Sequence, residues 1–181
     1  MNVLVVYAHP NPESFNHGIQ QLVCTELQAQ GHEVQLLDLY RERFDPCLSR
    51  EERASYMDKN NTHFVDTYVK QLQQADALVM IYPTWWMGPP AILKGWFDRV
   101  WLPHVVADMS PKGIKAKLTN IKKIMVITTQ GASRLRMNLL GNPPRIMMKA
   151  CLKMCTLCKN IHWMALYLSL IHISEPTRRT P

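Results

Sequence analysis

Two adjacent tryptophans, Trp85 and Trp86, mark the part of the chain whose residue types are best suited to binding chemistry. An apolar segment, residues 77–81, precedes them, and Gly88 and two prolines lead into a segment with helical spacing. A strand, an aromatic loop and a helix N-terminus together form an apolar platform lined with backbone N–H groups. Such a platform suits a planar ring with polar edges, and we assign it to Pro83, Thr84, Trp85, Trp86, Met87 and Gly88.

The roles of the two indoles and of the glycine follow from local geometry. Core packing is the ordinary interpretation of a tryptophan, but successive side chains of an extended chain point to opposite faces. Trp85 and Trp86 therefore cannot both enter one core, and at least one is expected to line a pocket or an interface. Gly88 is expected to permit a tight bend close to a ligand.

A second candidate segment, residues 7–16, follows a predicted strand and opens a predicted helix. The free N–H groups and the positive dipole end of a helix N-terminus favour phosphate. His9, Ser14 and Asn16 add an imidazole, a hydroxyl and an amide. The segment lacks the GxGxxG pattern of an ordinary Rossmann dinucleotide site. An N-cap role for Ser14 is the alternative interpretation.

A third candidate segment consists of Thr128, Thr129, Gln130 and Gly131. Hydroxyls, an amide and a glycine at a strand end fit contact with the polar edge of a ring, whereas an ordinary turn is the alternative. All three segments follow predicted strands, so in a parallel sheet they meet at its carboxyl edge. We therefore predict a planar cofactor there, with a flavin as the best fit.

Hydrophobic patterning predicts an α/β chain in which strands alternate with helices. Apolar runs predict strands at residues 2–7, 34–39, 77–81, 121–128 and 161–167. Helical spacing predicts helices at residues 15–30, 49–56, 62–75, 89–102 and 143–157. This alternation favours a three-layer sandwich of the flavodoxin type, with a five-stranded parallel sheet in the order 2-1-3-4-5.

Composition narrows the class of protein. The net charge is +7, with mild basic clusters at residues 112–123 and 134–159, but no nucleic-acid-binding signature accompanies them. We expect no nucleic-acid partner, and binding of phosphorylated cofactors accounts for the charge. The chain shows no apolar run of about 18 residues, no basic leader and no even-numbered cysteine framework. A cytoplasmic protein is expected.

The last residues depart from the α/β pattern. Residues 1–167 are predicted to form one flavin-binding domain, whereas residues 168–181 contain two prolines and no amphipathic period. This tail resembles the translation of a sequencing-adapter read-through. We expect it to be non-native or disordered, with the last helix of the fold missing; a natural disordered tail is the alternative.

Three late cysteines, Cys151, Cys155 and Cys158, match the spacing of a radical-SAM iron–sulfur motif. On a helix they fall at i, i+4 and i+7, which is one face, and a buried stripe of small thiols is the simpler interpretation. No metal site is predicted, and no nucleophile–base pair is evident.

Together, the three segments resemble the NAD(P)H dehydrogenase (quinone) family of flavodoxin-like flavoproteins. The resemblance covers residues 1 to about 167 and rests on His9-Pro10, Ser14-Phe15-Asn16, residues 83–98 and residues 128–132. It implies tightly bound FAD or FMN, hydride transfer from NAD(P)H to the flavin, two-electron transfer to a quinone, and a homodimer. By the same resemblance His9, Ser14, Phe15 and Asn16 hold the phosphate side, and residues 83–88 and 128–131 hold the ring.

One departure from the family concerns proton transfer. Animal quinone reductases carry a tyrosine and a histidine beyond the third segment, but residues 133–141 here contain neither. No catalytic residue is therefore assigned, and the flavin is expected to carry the chemistry.

Two alternatives remain open from the sequence. One is a regulatory flavoprotein subunit of a glutathione-gated potassium-efflux system, bound to a membrane transporter. The other is a one-electron flavodoxin carrier, which the basic charge disfavours because such carriers are usually acidic.

Overall fold

Five parallel strands form the central sheet in the computed structural model, which describes residues 1–167 of the chain. The strands of this described part are β1 (Asn2–Tyr7), β2 (Glu33–Asp38), β3 (Ala77–Pro83), β4 (Ala107–Ser110), β5 (Gly113–Ala116), β6 (Lys123–Gln130) and β7 (Ile161–Tyr167). The sheet order is β2-β1-β3-β6-β7, and β4 pairs with β5 in a separate antiparallel hairpin. The predicted order 2-1-3-4-5 is confirmed, with β6 and β7 as its last two strands. The prediction for residues 168–181 lies outside the described residues.

Within residues 1–167, six helices connect these strands. They are α1 (Phe15–Ala29), α2 (Arg50–Ala54), α3 (Asp66–Gln74), α4 (Ala91–Val100), α5 (Arg134–Leu139) and α6 (Pro143–Cys155). Helix α1 ends as its sequence predicts, because Gly31 adopts a φ of 76° just beyond the C-cap. Helix α6 begins with two prolines, which the first turn tolerates because its N–H groups have no intrahelical partner.

Two hydrophobic clusters hold the sheet between its helices. Strand β3 is buried along its whole length, and alternate residues of one strand contribute to opposite clusters. The larger cluster joins the sheet to α3, α4 and α6, with Trp96 among its fully buried side chains. The smaller cluster joins the other face to α1.

The predicted boundaries lie within two residues of the observed ones except at the start of α3. Helix α3 begins at Asp66 rather than at residue 62, because residues 56–65 form turns in which Asn61 donates a side-chain hydrogen bond to the Tyr56 carbonyl. The hairpin β4–β5 and the short helix α5 were not predicted. Each is too short to show a clear period in the sequence.

Helix α4 packs closely against the loop before α2. Gly95 faces Pro46, and a Cβ atom at Gly95 would lie well under 3.0 Å from backbone atoms of Pro46. One turn further on, Arg99 Nε donates to Glu52 Oε1 over 2.7 Å, and both side chains are largely buried. These contacts fix the helix that follows the tryptophan loop.

Candidate functional site

The first and third predicted segments are joined by a buried hydrogen bond. Asn16, in the first turn of α1, donates from Nδ2 to Thr129 Oγ1 over 3.0 Å across 113 residues of sequence. Asn16 and Thr129 are both buried. The helix N-terminus after β1 therefore lies beside the carboxyl end of β6.

The second segment is tied to the third by two hydrogen bonds. The Thr84 N–H donates to the Thr129 carbonyl over 2.8 Å, and the Thr84 and Thr128 hydroxyls are 2.8 Å apart. The ring centroids of Trp85 and His9 lie 6.2 Å apart, which brings the second segment beside the first. All three predicted segments thus meet at one edge of the sheet.

The predicted phosphate segment is ordered by its own polar groups. The Ser14 hydroxyl accepts from the His17 N–H over 3.1 Å, so Ser14 is the N-cap of α1, and it lies 3.4 Å from the Tyr7 hydroxyl. His9 Nδ1 accepts from the Asn11 N–H over 3.1 Å. Burial lowers the pKa of His9 and outweighs the opposite effect of the Asn11 carbonyl oxygen, which lies 3.2 Å from Nδ1 and favours the protonated ring. His9 is therefore neutral at neutral pH and could act toward a phosphate as an N–H donor.

The tryptophan segment folds into a tight hairpin turn. Trp85 and Gly88 exchange two backbone hydrogen bonds of 2.9 and 3.0 Å, and the central residues Trp86 and Met87 have φ angles of 49° and 63°. Positive φ at both central positions is the type I′ pattern, which normally favours Asn-Gly. Trp86 and Met87 make the bend, so the expectation that Gly88 makes it was wrong, because Gly88 is not among the residues with positive φ. Close approach of Gly88 to a ligand stays a prediction.

The indoles of this hairpin point away from the core. Trp86 is fully exposed, at 102% of its reference area, and Trp85 is 42% exposed. A large apolar side chain on a strained backbone is costly for a folded protein, and such strain concentrates at functional sites. Neither indole is therefore a core residue, and the expectation that at least one of them lines a pocket or an interface stays a prediction.

Three polar atoms beside the meeting point of the segments are buried without a partner among residues 1–167. They are Asn16 Oδ1 and both amide atoms of Gln130. Leaving a buried polar atom unpartnered costs about 1–3 kcal/mol, so such atoms call for a ligand or a water molecule. A ring with donors and acceptors along its edge fits this arrangement.

The remaining predicted residues have different exposures. Phe15 and Met87 are exposed, as is Gly131, whereas Pro83 is buried at the end of β3. No Cβ clash would arise within the protein at Gly131 or at Gly88, where the nearest atoms would be 3.9 Å away. Both glycines therefore leave room for a ligand.

A pocket at the ends of β1 and β2 was missed by the sequence analysis. Asp38 Oδ1 accepts from the N–H groups of Tyr40 and Arg41, which closes a turn beside the phosphate segment. The sheet order 2-1-3 was the available signal, since it places the end of β2 next to that segment. The pocket is lined by Tyr7, His9, Pro10, Pro12, His17, Asp38, Tyr40 and Arg41.

A tyrosine at the end of β7 was also missed. Asn142, between α5 and α6, donates from Nδ2 to the Tyr167 hydroxyl over 3.1 Å. Asn142 adopts a φ of 53°, and its Oδ1 lacks a partner within the described part of the chain. A phenol therefore stands at the same edge of the sheet, although residues 133–141 contain none.

The late cysteines are packing residues in this structure. Burial raises the pKa of Cys155 to about 12, and the charge of Cys151 acts in the same direction. Cys158 Sγ donates a hydrogen bond to the Lys122 carbonyl over 3.2 Å. A protonated thiol is a poor metal ligand. Within residues 1–167, no three His, Cys, Asp or Glu side chains are grouped to hold a metal ion. None of the described helices combines the length and apolar character of a membrane span.

Known proteins share this architecture. Residues 1–158 match the family model described as Flavodoxin-like fold. The crystal structure of Smu.1420 from Streptococcus mutans UA159 is 34% identical with a TM-score of 0.86, covering 99% of this chain and 93% of that one. NAD(P)H:quinone oxidoreductase from Methanothermobacter marburgensis is 29% identical with a TM-score of 0.82, covering 92% of this chain and 86% of that one.

Curated relatives are longer than this chain. NAD(P)H dehydrogenase (quinone) 1 of Cavia porcellus is 32% identical in an alignment of 146 positions that covers 71% of this chain and 53% of that protein. This chain spans between 53% and 66% of the length of the first three curated relatives it matches.

Proposed function

Because this chain belongs to the family with the flavodoxin-like fold, we propose that it is a flavin-dependent NAD(P)H oxidoreductase with a quinone or similar compound as acceptor. Its resemblance to the NAD(P)H dehydrogenase (quinone) family is confirmed by relatives that carry that name. For this chain, the proposed activity rests on the residues of the candidate site.

The observation that carries the proposal is the meeting of three loops around unpartnered polar atoms. Asn16, Thr84 and Thr129 tie the loops together, and Asn16 Oδ1 and the Gln130 amide remain free among the described residues. These groups fit a planar ring that has both donors and acceptors along its edge, and the exposed Trp85 and Trp86 offer an aromatic surface beside it.

Each loop has a distinct role in this proposal. The N-terminus of α1, with His9, Ser14, Phe15 and Asn16, holds the phosphate side of FAD or FMN. Residues 83–88 and residues 128–131 would hold the ring. A bound flavin supplies two-electron transfer between NAD(P)H and the acceptor.

The protein contributes binding and orientation. Its buried threonines and Asn16 fix the loop backbones before a ligand arrives, which lowers the entropy lost on binding. The hairpin at Trp86 leaves an aromatic surface beside the ring for NAD(P)H and the acceptor in turn. We assign no residue to proton transfer.

Three further features belong to the same proposal. Residues 1–167 act as one flavin-binding domain, two copies of the chain associate as a homodimer, and the protein works in the cytoplasm. The homodimer is supported by the family resemblance, and the domain by the continuous sheet that unites β1 with β7.

Flavin content and turnover test this function. Purified protein should be yellow, and mass spectrometry of the released cofactor should identify FAD or FMN. Trp86→Ala should lose flavin by removing an aromatic contact. Gly88→Val should lose flavin because its side chain enters ligand space, since the protein itself has room at that position. Leu22→Ala, an exposed leucine on α1, is the control and should keep its flavin.

The outcomes separate the competing functions. NADPH-dependent reduction of a quinone at steady state supports an oxidoreductase. Bound flavin with negligible turnover, together with co-purification of a transporter, favours the regulatory subunit. A colourless protein that takes up neither FAD nor FMN contradicts the proposed cofactor.

A further inference from the structure

Charge is divided sharply along the chain. Residues 1–108 contain eight Lys and Arg against thirteen Asp and Glu. Residues 109–167 contain no Asp or Glu but eleven cations: Lys112, Lys115, Lys117, Lys122, Lys123, Arg134, Arg136, Arg145, Lys149, Lys153 and Lys159. Of these, only Lys117 lies within 4.0 Å of a carboxylate among the described residues, that of Asp108. The other ten cations face no described counter-ion at that distance.

Large apolar side chains stand exposed among these cations. Leu135, Leu139 and Leu140 at α5 are between 58% and 78% exposed, and Ile146 on α6 is 62% exposed. Of the residues of α5, only Met137 is buried. We call this surface the α5–α6 face, and it comprises Arg134, Leu135, Arg136, Leu139, Leu140, Arg145, Ile146, Lys149 and Lys153.

The α5–α6 face adjoins the candidate flavin site. Helix α5 begins three residues after Gly131, the last residue of the third segment. Met147 of α6 approaches the tryptophan hairpin, since a Cβ atom on Gly88 would lie 3.9 Å from its Cε. The tryptophan hairpin therefore lies beside α6.

We propose that the α5–α6 face docks on an anionic lipid bilayer. Aliphatic side chains interspersed with arginine and lysine are the pattern of a peripheral membrane surface, because the aliphatic groups enter the acyl boundary while the cations meet lipid phosphates. The absence of any acidic residue between positions 109 and 167 removes the repulsion that a carboxylate would add.

A second copy of this chain and a nucleic acid both fit the α5–α6 face less well than a bilayer does. A second copy docked through the same patch would place like charges against each other around a two-fold axis. Nucleic acid would satisfy the cations, but bases stack on aromatic side chains, whereas α5 exposes leucines. A bilayer satisfies the cations and the leucines together.

The cations on α6 already repel one another. Burial lowers the pKa of Lys149, and the positive charges of Arg145 and Lys153 lower it further. An anionic surface would relieve this repulsion. If the proposed function also holds, docking would place the candidate flavin site beside a bilayer in which an apolar quinone dissolves. This access to a membrane quinone rests on the proposed function, whereas the docking does not.

Vesicle sedimentation of the purified full chain tests the proposal. The protein should sediment with vesicles of phosphatidylglycerol and phosphatidylcholine in equal parts, and much less with phosphatidylcholine alone. Arg134→Gln with Arg136→Gln should lower the partition coefficient about fivefold for each arginine, or about 30-fold for both. Leu139→Gln with Leu140→Gln should lower it further at any ionic strength, since this loss is not electrostatic.

Matched controls carry the same chemical changes elsewhere. Arg50→Gln with Lys59→Gln removes two exposed charges from the acidic part of the chain, and Leu22→Gln removes one exposed leucine. These variants should bind vesicles like the parent, and thermal melting should show that all variants fold. Flavin content is measured separately, so a colourless protein would contradict the proposed function without affecting the docking result.

Two outcomes would overturn the proposal. The first is equal sedimentation with both kinds of vesicle, and the second is no sedimentation with either. In the second case, dissociation of a dimer by the arginine and leucine changes would assign the face to a second copy. Loss of binding to single-stranded RNA in the arginine variant would assign it to nucleic acid.

Discussion

Gly95 is the position where one added methyl group should strain the fold most. Its neighbour across the α4 interface is the backbone of Pro46, and a Cβ atom there would approach the Pro46 carbonyl oxygen and Cα to well under 3.0 Å. Gly18 also lies within a helix, but a Cβ atom there would meet nothing within 4 Å. Gly95→Ala and Gly18→Ala therefore apply the same chemical change to a crowded and to an open site.

The expected magnitudes have opposite signs. In an open helical position alanine is favoured over glycine by about 1 kcal/mol, so Gly18→Ala should stabilise the protein by about that amount. At Gly95 the same gain is opposed by overpacking, which costs about 1–3 kcal/mol. The upper end applies because backbone atoms must move, so Gly95→Ala should destabilise by about 2 kcal/mol. For a chain of this size, Tm should fall by about 4–8 °C in Gly95→Ala and rise by about 2–4 °C in Gly18→Ala.

Thermal unfolding followed by circular dichroism, with urea unfolding as a second measurement, provides the assay. Unchanged m-values would show that the denatured state is the same in parent and variants. A Gly95→Ala protein as stable as its parent would refute the close approach of α4 to the Pro46 loop. A destabilised Gly18→Ala protein would refute the open position on α1.

Two further predictions concern buried ionisable groups. Burial raises the pKa of Glu52, but hydrogen bonds from Ser49 and Arg99 outweigh this effect and hold the pKa below the usual 4.5. The ion pair of Glu52 with Arg99 should therefore stabilise the protein above about pH 4.5. This contribution should be lost as the pH falls further. Arg99→Met should cost about 3 kcal/mol at pH 7 by leaving the carboxylate buried and unpaired, and Glu52→Gln should flatten the acid side of the pH–stability curve. An acid limb as steep in Glu52→Gln as in the parent would exclude this assignment. Burial raises the pKa of Cys155 to about 12. A thiol reagent at pH 8 should therefore modify the exposed Cys47 first and reach Cys155 only in urea. Equal rates of modification at the two cysteines would contradict the burial of Cys155.

The sheet could be predicted from the sequence because its strands are simple apolar runs. Residues 2–7 and 77–81 have no competing helical period, and alternation with helices leaves few topologies. The hairpin β4–β5 could not be predicted in the same way. Its four-residue strands expose Met109 and Ile114 and carry several polar residues, so no period of two stands out.

The candidate site was predicted at the level of segments rather than of contacts. The three loops were identified from strand ends, but the pairing of Asn16 with Thr129 depends on a register that no local pattern encodes. Gly88 was chosen for the bend because glycine is the residue that tolerates positive φ. The turn instead uses Trp86 and Met87, which local propensity disfavours, and two backbone hydrogen bonds between Trp85 and Gly88 close it.

That turn sets a limit on any redesign of the protein for heat resistance. The pair preferred in a type I′ turn is Asn-Gly, and each bulky residue held at positive φ costs roughly 1–2 kcal/mol. Laboratory selection on melting temperature alone would therefore favour Asn-Gly at positions 86 and 87 and discard the indole. Thermal stability and ligand contact make opposite demands on this turn. A thermostable variant should therefore be selected for melting temperature and for cofactor retention together.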